Sequence, residues 1–179
     1  LSWYRRQIAE LGIEVKFNTE VKDISSLKED EIVVATGAKP RILRSIPGYE
    51  KMIEATDYLT GTPVGNTVAV IGGGLTGCEI AYELALMGKK PIIVEMKDDL
   101  VSQKGVCLAN SSYLREWFDL NKTPVYLETK LKEVGDGYIL VTRKDGNETK
   151  ILCDSVISSA GYVPAPIAAK GNVHLVGDC

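Results

Sequence analysis

The sequence predicts an α/β fold built on a parallel sheet, with a short β-meander added. Three observations carry this. Thr67–Ile71 and Pro91–Glu95 are near-continuous apolar runs, as strands buried on both faces are. Between them lies Leu75–Met87, a helix-length stretch that is apolar on most sides and is joined to the first run by a glycine turn. Beyond residue 124 follows a string of short β segments separated by glycine turns.

Taken in order, Ser2–Leu11 reads as an amphipathic helix, with Trp3, Ile8 and Leu11 on one face and Gly12 to stop it. Ile13, Val15 and Phe17 alternate with Glu14 and Lys16 and predict a strand. Residues 22–30 are polar and loop-like. Glu31–Ala35 is a short apolar strand ending at Thr36-Gly37, and Ala38–Glu50, with Pro40 and Pro47-Gly48, reads as extended connection. Ala55–Leu59 supplies one helical turn. Gly61, Pro63 and Gly65 form a hinge-like segment and an expected boundary.

After the strand–helix–strand unit, Asn110–Asn121 is expected as a helix capped by Asn110, Ser111 or Ser112. Strands are expected at Pro124–Leu127, Lys130–Val134, Tyr138–Thr142 and Lys150–Cys153, with hairpin turns at Gly135-Asp136-Gly137 and Asp145-Gly146-Asn147. Asp154–Ala160 is a further strand ending at Gly161. Tyr162–Asn172 reads as loop or short helix, and Val173–Val176 as the last strand before Gly177-Asp178.

Composition narrows the function. The chain has 179 residues, with 21 Lys+Arg against 24 Asp+Glu and a formal net charge of -3. Nucleic-acid binding would call for a basic stripe, which this balance does not supply. Apolar residues at 45% and charged residues at 25% suit a globular domain rather than a disordered one. No run reaches the ~18 apolar residues of a membrane helix, and no secretory leader opens the chain. A cytoplasmic location is therefore expected. The first residue is Leu1 rather than Met, as expected of a piece of a longer protein. Cys78, Cys107, Cys153 and Cys179 form no C-x-x-C pair, which speaks against a zinc, iron–sulfur or dithiol site, and the single histidine, His174, leaves little for a triad.

The most informative stretch is Gly72-Gly73-Gly74-Leu75-Thr76-Gly77, which fits G-x-G-x-x-G. Gly72 would allow the tight turn out of the strand. Gly74 would let the backbone approach a pyrophosphate, and Gly77 would let helix and strand pack closely. The helix N-terminus then offers unpaired N–H groups to the phosphates. Glu95, 18 residues past Gly77, stands where a carboxylate accepts hydrogen bonds from an adenosine ribose. A carboxylate there favours a free 2′-OH over a 2′-phosphate, so NADH is expected over NADPH. Cys78, on an apolar helix, is expected to be a buried inert thiol. Glu79 and Glu83 are expected to be solvated helix carboxylates, and His174 a packed or edge residue.

Two further motifs extend the reading: Val33-Val34-Ala35-Thr36-Gly37-Ala38-Lys39-Pro40, followed by Ile46-Pro47-Gly48, and Val173-His174-Leu175-Val176-Gly177-Asp178. With the glycine turn and Ser158-Ser159-Ala160-Gly161-Tyr162-x-Pro164 between them, they resemble, in order, the two-dinucleotide-domain flavoprotein reductases. Trp3-Tyr4-Arg5-Arg6, Gly77-Cys78-Glu79-Ile80-Ala81 and Val176-Gly177-Asp178-Cys179 resemble the NADH:flavin oxidoreductases related to old yellow enzyme, of the 2,4-dienoyl-CoA reductase, enoate reductase and trimethylamine dehydrogenase types. The disulphide reductases fit the flanking residues less well. The resemblance implies a Rossmann-like parallel sheet with a β-meander, inserted in a partial FAD-binding domain. Its expected divisions are 1–62 (outgoing flavin-domain segment), 63–162 (NAD(P)-binding domain) and 163–179 (return strand). Val163–Asn172 is shorter than the family's usual excursion.

The resemblance implies that NADH delivers hydride to FAD in the parent protein. An upstream iron–sulfur cluster (4Fe-4S) and FMN would then carry electrons to an activated C=C bond. The first flavin fingerprint and those domains would lie before Leu1, and the isolated piece is expected to be inactive. No catalytic side chain is implied. Gly72, Gly73, Gly74, Leu75, Thr76, Gly77 and Glu95 would hold the adenine half, and Ala160 and Gly161 would approach the nicotinamide half. Thr36, Gly37, Gly177 and Asp178 would face the flavin. The partners implied are the dinucleotide and the remaining domains of the parent, with no nucleic acid or membrane. The alternative is a module that holds ADP structurally, with no role in hydride transfer.

Overall fold

The computed structural model describes all residues, 1–179. In chain order the elements are α1 (Ser2–Glu10), β1 (Ile32–Val34), β2 (Ala38–Pro40), β3 (Ile53–Glu54), α2 (Ala55–Leu59), β4 (Thr67–Ile71), α3 (Leu75–Leu86), β5 (Lys90–Val94), α4 (Leu108–Leu120), β6 (Val125–Tyr126), β7 (Lys130–Gly135), β8 (Tyr138–Thr142), β9 (Glu148–Leu152), β10 (Ser155–Ser158), β11 (Tyr162–Pro164) and β12 (Val173–Leu175). Short 3₁₀ turns lie at Ile24–Ser26 and Tyr49–Lys51. The chain divides into two units, residues 1–38 with 164–179, and residues 39–163.

In the larger unit five parallel strands run in the order β3-β10-β4-β5-β6. The period-two alternation of strand side chains splits each strand between two cores. Val68, Val70, Ile93 and Ile157 pack on one face with Cys78, Ile80, Ala81 and Leu84 of α3 and Leu114 and Phe118 of α4. Ala69, Ile71, Val94 and Val156 pack on the other with Leu131, Val134, Ile139, Val141 and Ile151 of the antiparallel meander β7-β8-β9. The meander thus takes the place of a second helical layer, and central strands covered on both faces must be apolar throughout. Every residue from Val68 to Ile71 is buried. Asp154 fixes the start of β4, since its carboxylate accepts from the N–H groups of Asn66 at 3.0 Å and Thr67 at 2.7 Å.

β3 and α2 precede the expected hinge at 61–65 yet belong to this unit, where β3 pairs with β10. Neither β2 nor β3 is legible as a strand in the sequence. Each has three residues or fewer, too short to show a period. Tyr162–Pro164 likewise forms a strand inside the expected loop.

In the smaller unit β1 and β12 pair in parallel, Ile32 to Val173 through Val34 to Leu175. The expected strand at Ile13–Phe17 does not form. No other strand of this unit pairs with it, and an alternating pattern without a ladder partner has no strand to join. Its side chains stay exposed, Phe17 at 82%. α1 forms as expected, but its apolar face is left open, with no buried residue along it.

Candidate functional site

The larger unit carries a cleft of about 670 Å³ along the C-terminal edge of its sheet. The glycine turn forms its floor. Gly72 has φ +109°, and a Cβ there would lie 2.3 Å from the Ser159 carbonyl oxygen, so only glycine makes this turn. At Gly77 a Cβ would lie 1.9 Å from the Gly72 carbonyl oxygen, which puts the first turn of α3 directly against the strand end. Gly74 differs. Its φ of -71° suits any residue, and a Cβ would meet only the end of the Gln103 side chain, at 2.5 Å. Packing therefore requires Gly72 and Gly77, whereas Gly74 leaves space at the helix N-terminus.

No side chain caps α3. Its first N–H groups have no side-chain cap, and the helix dipole favours an anion at this end. A pyrophosphate meets these demands, so the residues present fit a dinucleotide. Arg41 and Lys97, which also line the cleft, bring positive charge, and Glu54 and Glu95 bring negative charge.

Glu95 follows β5 directly. Its Oε2 accepts from the Gly73 N–H at 2.6 Å and its Oε1 from the Lys97 N–H at 2.8 Å. A carboxylate offers about four acceptor positions. Two backbone donors hold this one in place and leave it capacity for the hydroxyls of a sugar.

The expected residues gather unevenly. Gly72, Gly73, Gly74, Thr76, Glu95, Ala160 and Gly161 all line the cleft. The Leu75 side chain instead packs against the helical core, and Gly77 is buried beneath the turn, so neither presents a side chain to the cleft. Cys78 is fully buried, with Sγ against the Gly73 carbonyl at 3.4 Å. Burial, reinforced by nearby carboxylates, pushes its thiol up to about 12, which keeps it protonated and unreactive, as expected.

Thr36, Gly37, Gly177 and Asp178 lie in the smaller unit. The Thr36 hydroxyl donates to the Ala165 carbonyl at 2.9 Å and so ties the two chain segments together. Gly37 and Gly177 have φ of +71° and +74°, with open space where a side chain would stand. His174 is the expected edge histidine. It lies on β12 with Nε2 2.7 Å from Glu31 Oε2, and both side chains are exposed.

Among the cleft residues that sequence reasoning did not assign to the site are Arg41, Glu54, Gln103 and Ser158. Gln103 is delivered by the segment after β5. There Val101 takes φ +48° and donates its N–H to the Gly73 carbonyl at 2.8 Å. Arg115 on α4 pins that segment through Nε and Nη2 to the Leu100 carbonyl, at 2.9 and 2.6 Å. None of this leaves a local sequence signal, because it depends on contacts between distant residues.

A family model described as pyridine nucleotide-disulphide oxidoreductase matches residues 14–176. Cinnamate reductase of Clostridium sporogenes is 36% identical over 168 residues, which cover 91% of this chain and 25% of that protein. NADH oxidase of Thermoanaerobacter brockii is 36% identical over 107 residues, covering 55% of this chain and 16% of that protein. The solved structure of a 2-naphthoyl-CoA reductase in complex with 2-naphthoyl-CoA superposes with a TM-score of 0.80 at 26% identity, covering 99% of this chain and 28% of that one. The chain thus spans about a quarter of the length of the reductases it matches. It belongs to the pyridine nucleotide-disulphide oxidoreductase family, within the group of two-domain flavoproteins related to old yellow enzyme.

Proposed function

We propose that this chain is the nucleotide-binding part of a flavin oxidoreductase, and that residues 39–163 hold NADH for hydride delivery to FAD. The observation that carries the reading is the division of labour in the glycine turn. Gly72 and Gly77 are required by packing, whereas Gly74 leaves open the approach to the uncapped N-terminus of α3. In this reading the first N–H groups of α3 bind the pyrophosphate, and Thr76 and the backbone of Gly73–Gly74 flank it. Glu95 accepts from the adenosine ribose and repels a 2′-phosphate, which favours NADH over NADPH. Ala160 and Gly161 at the end of β10 flank the nicotinamide half. When bound, NADH supplies a hydride, and the protein contributes position and electrostatics.

Thr36, Gly37, Gly177 and Asp178 are proposed to face the flavin. Their open glycines fit the close approach of a cofactor. In the longer protein, FMN and a 4Fe-4S cluster in further domains would carry electrons to an activated C=C bond. The relatives named as reductases of cinnamate and 2-naphthoyl-CoA support that substrate class.

Calorimetric titration with NADH, NADPH, ADP and FAD tests the reading. NADH should bind more tightly than ADP or NADPH. Equal affinity for ADP and NADH would favour the structural ADP module, and no nucleotide binding would overturn the assignment. In the longer protein, NADH should bleach the flavin absorbance, and a flavin that stays oxidised would remove the hydride role.

A further inference from the structure

Two polar groups in the cleft have no task in the reading above. Ser158 ends β10 and Glu54 ends β3, and the parallel register sets them opposite each other. Ser158 is 1% exposed and its Oγ has no hydrogen-bond partner, a state that buried hydroxyls seldom keep. Glu54 is half-buried and forms no ion pair. Burial and the Asp57 carboxylate push its carboxyl above the ordinary carboxylate range. The neighbouring Ser158 hydroxyl acts in the opposite direction and is the weakest of the three influences. An unpaired carboxyl beside an orphaned hydroxyl is a site prepared for a donor that arrives with a ligand.

The sheet order says which part of the ligand arrives there. Glu95 follows β5, the glycine turn follows β4, and Glu54 stands on the edge strand β3, beyond β10. From β5 to β3 is three strand spacings, about 14 Å. A dinucleotide with its adenosine ribose at Glu95 and its pyrophosphate at the β4–α3 turn brings its second ribose over β10 and its terminal base toward β3. The Glu54 carboxyl offers acceptor oxygens and carries no N–H of its own, so it suits a terminal group that carries N–H. The nicotinamide carboxamide is such a group.

We propose that Glu54 is a specificity-determining residue that accepts a hydrogen bond from the nicotinamide carboxamide N–H, with Ser158 Oγ donating to the same carboxylate to hold it in place. The inference rests on the dinucleotide reading of the cleft, and the test separates the two. The 179-residue chain is titrated with NADH, with reduced 3-acetylpyridine adenine dinucleotide and with ADP. The acetyl analogue keeps the carbonyl but lacks the N–H.

The unsubstituted chain should prefer NADH over the analogue by roughly 10- to 100-fold, the range for a hydrogen bond to a charged group. Glu54→Leu should bring that ratio close to one, and Glu54→Gln, which retains a carbonyl acceptor, should recover most of it. ADP affinity should be the same in all three. A Leu variant that keeps the full preference while binding ADP normally overturns the proposal. Absence of ADP binding in the unsubstituted chain overturns the dinucleotide reading itself. If Glu54→Leu fails to fold, Glu54→Ala, which leaves the β3 backbone pairing in place, decides by the same ratio.

Discussion

Replacing Gly77 by alanine tests whether the glycine turn is built as described. The added Cβ would lie 1.9 Å from the Gly72 carbonyl oxygen, 3.1 Å from the Gly72 carbonyl carbon and 3.3 Å from Ser159 Cβ. Ordinary contact begins near 3.4 Å, so the start of α3 must retreat by about 1.5 Å. The obstacle is backbone just past the end of a central strand and cannot rotate away. Overpacking of this kind costs typically 1–3 kcal/mol, and a rigid neighbour puts this case at the upper end, about 3 kcal/mol. For a chain of 179 residues that corresponds to a fall in melting temperature of about 6–12 °C.

Gly74→Ala is the matched control. Its Cβ meets only the Gln103 amide, at the end of a flexible side chain, so the stability cost should be about 1 kcal/mol or less. The same methyl occupies space that the pyrophosphate needs, and ADP affinity should fall at least tenfold, about 1.4 kcal/mol. Circular dichroism melting and calorimetric ADP titration of both variants give the four numbers. The reasoning fails if Gly77→Ala melts within a degree of the parent chain, or if Gly74→Ala binds ADP unchanged.

Other substitutions test other parts of the site. Glu95→Gln keeps the size but loses one acceptor oxygen and the charge. NADH affinity should drop roughly tenfold or more while NADPH loses less, so that the NADH/NADPH ratio narrows in parallel titrations. Alkylation with iodoacetamide at pH 8, read by mass spectrometry, should label exposed Cys107 and spare Cys78 until the chain is unfolded. The Cys78 thiol is raised from 9.0 in the unfolded chain to about 12 when folded, so its contribution to stability is complete below pH 9 and lost as pH rises to about 12; Cys78→Ala should blunt that alkaline loss in melts taken across the window. Asp154→Ala removes the acceptor for the Asn66 and Thr67 N–H groups and should cost about 1–3 kcal/mol, seen as a lower urea midpoint with an unchanged slope.

The sequence by itself determined the elements whose physics is local. β4, α3 and β5 are legible because a buried parallel strand must be apolar throughout and a strand-to-helix turn must be glycine-rich. Gly72, Gly74 and Glu95 in the cleft, and Gly77 buried beneath it, follow from one continuous strand–turn–helix–strand stretch, whose connections are short enough to fix their places. The hairpins β7-β8 and β8-β9 are fixed by turn residues that lie next to their strands.

Only the tertiary structure decided what depends on distant partners. The alternation at Ile13–Phe17 has the residues of a strand but gains no ladder, because strand formation needs a neighbour that the segment's own residues cannot supply. Conversely, β3 is two residues long with no readable pattern, and it exists because β10 pairs with it. Glu54 and Ser158 are 104 positions apart in the chain and become neighbours only through that register. The same holds for Gln103, which Arg115 and the Gly73 carbonyl bring to the cleft by bonds that span the fold. Local spacing writes backbone geometry into the sequence, whereas a side-chain site assembled from separate strands is set by sheet order and register, which no single segment encodes.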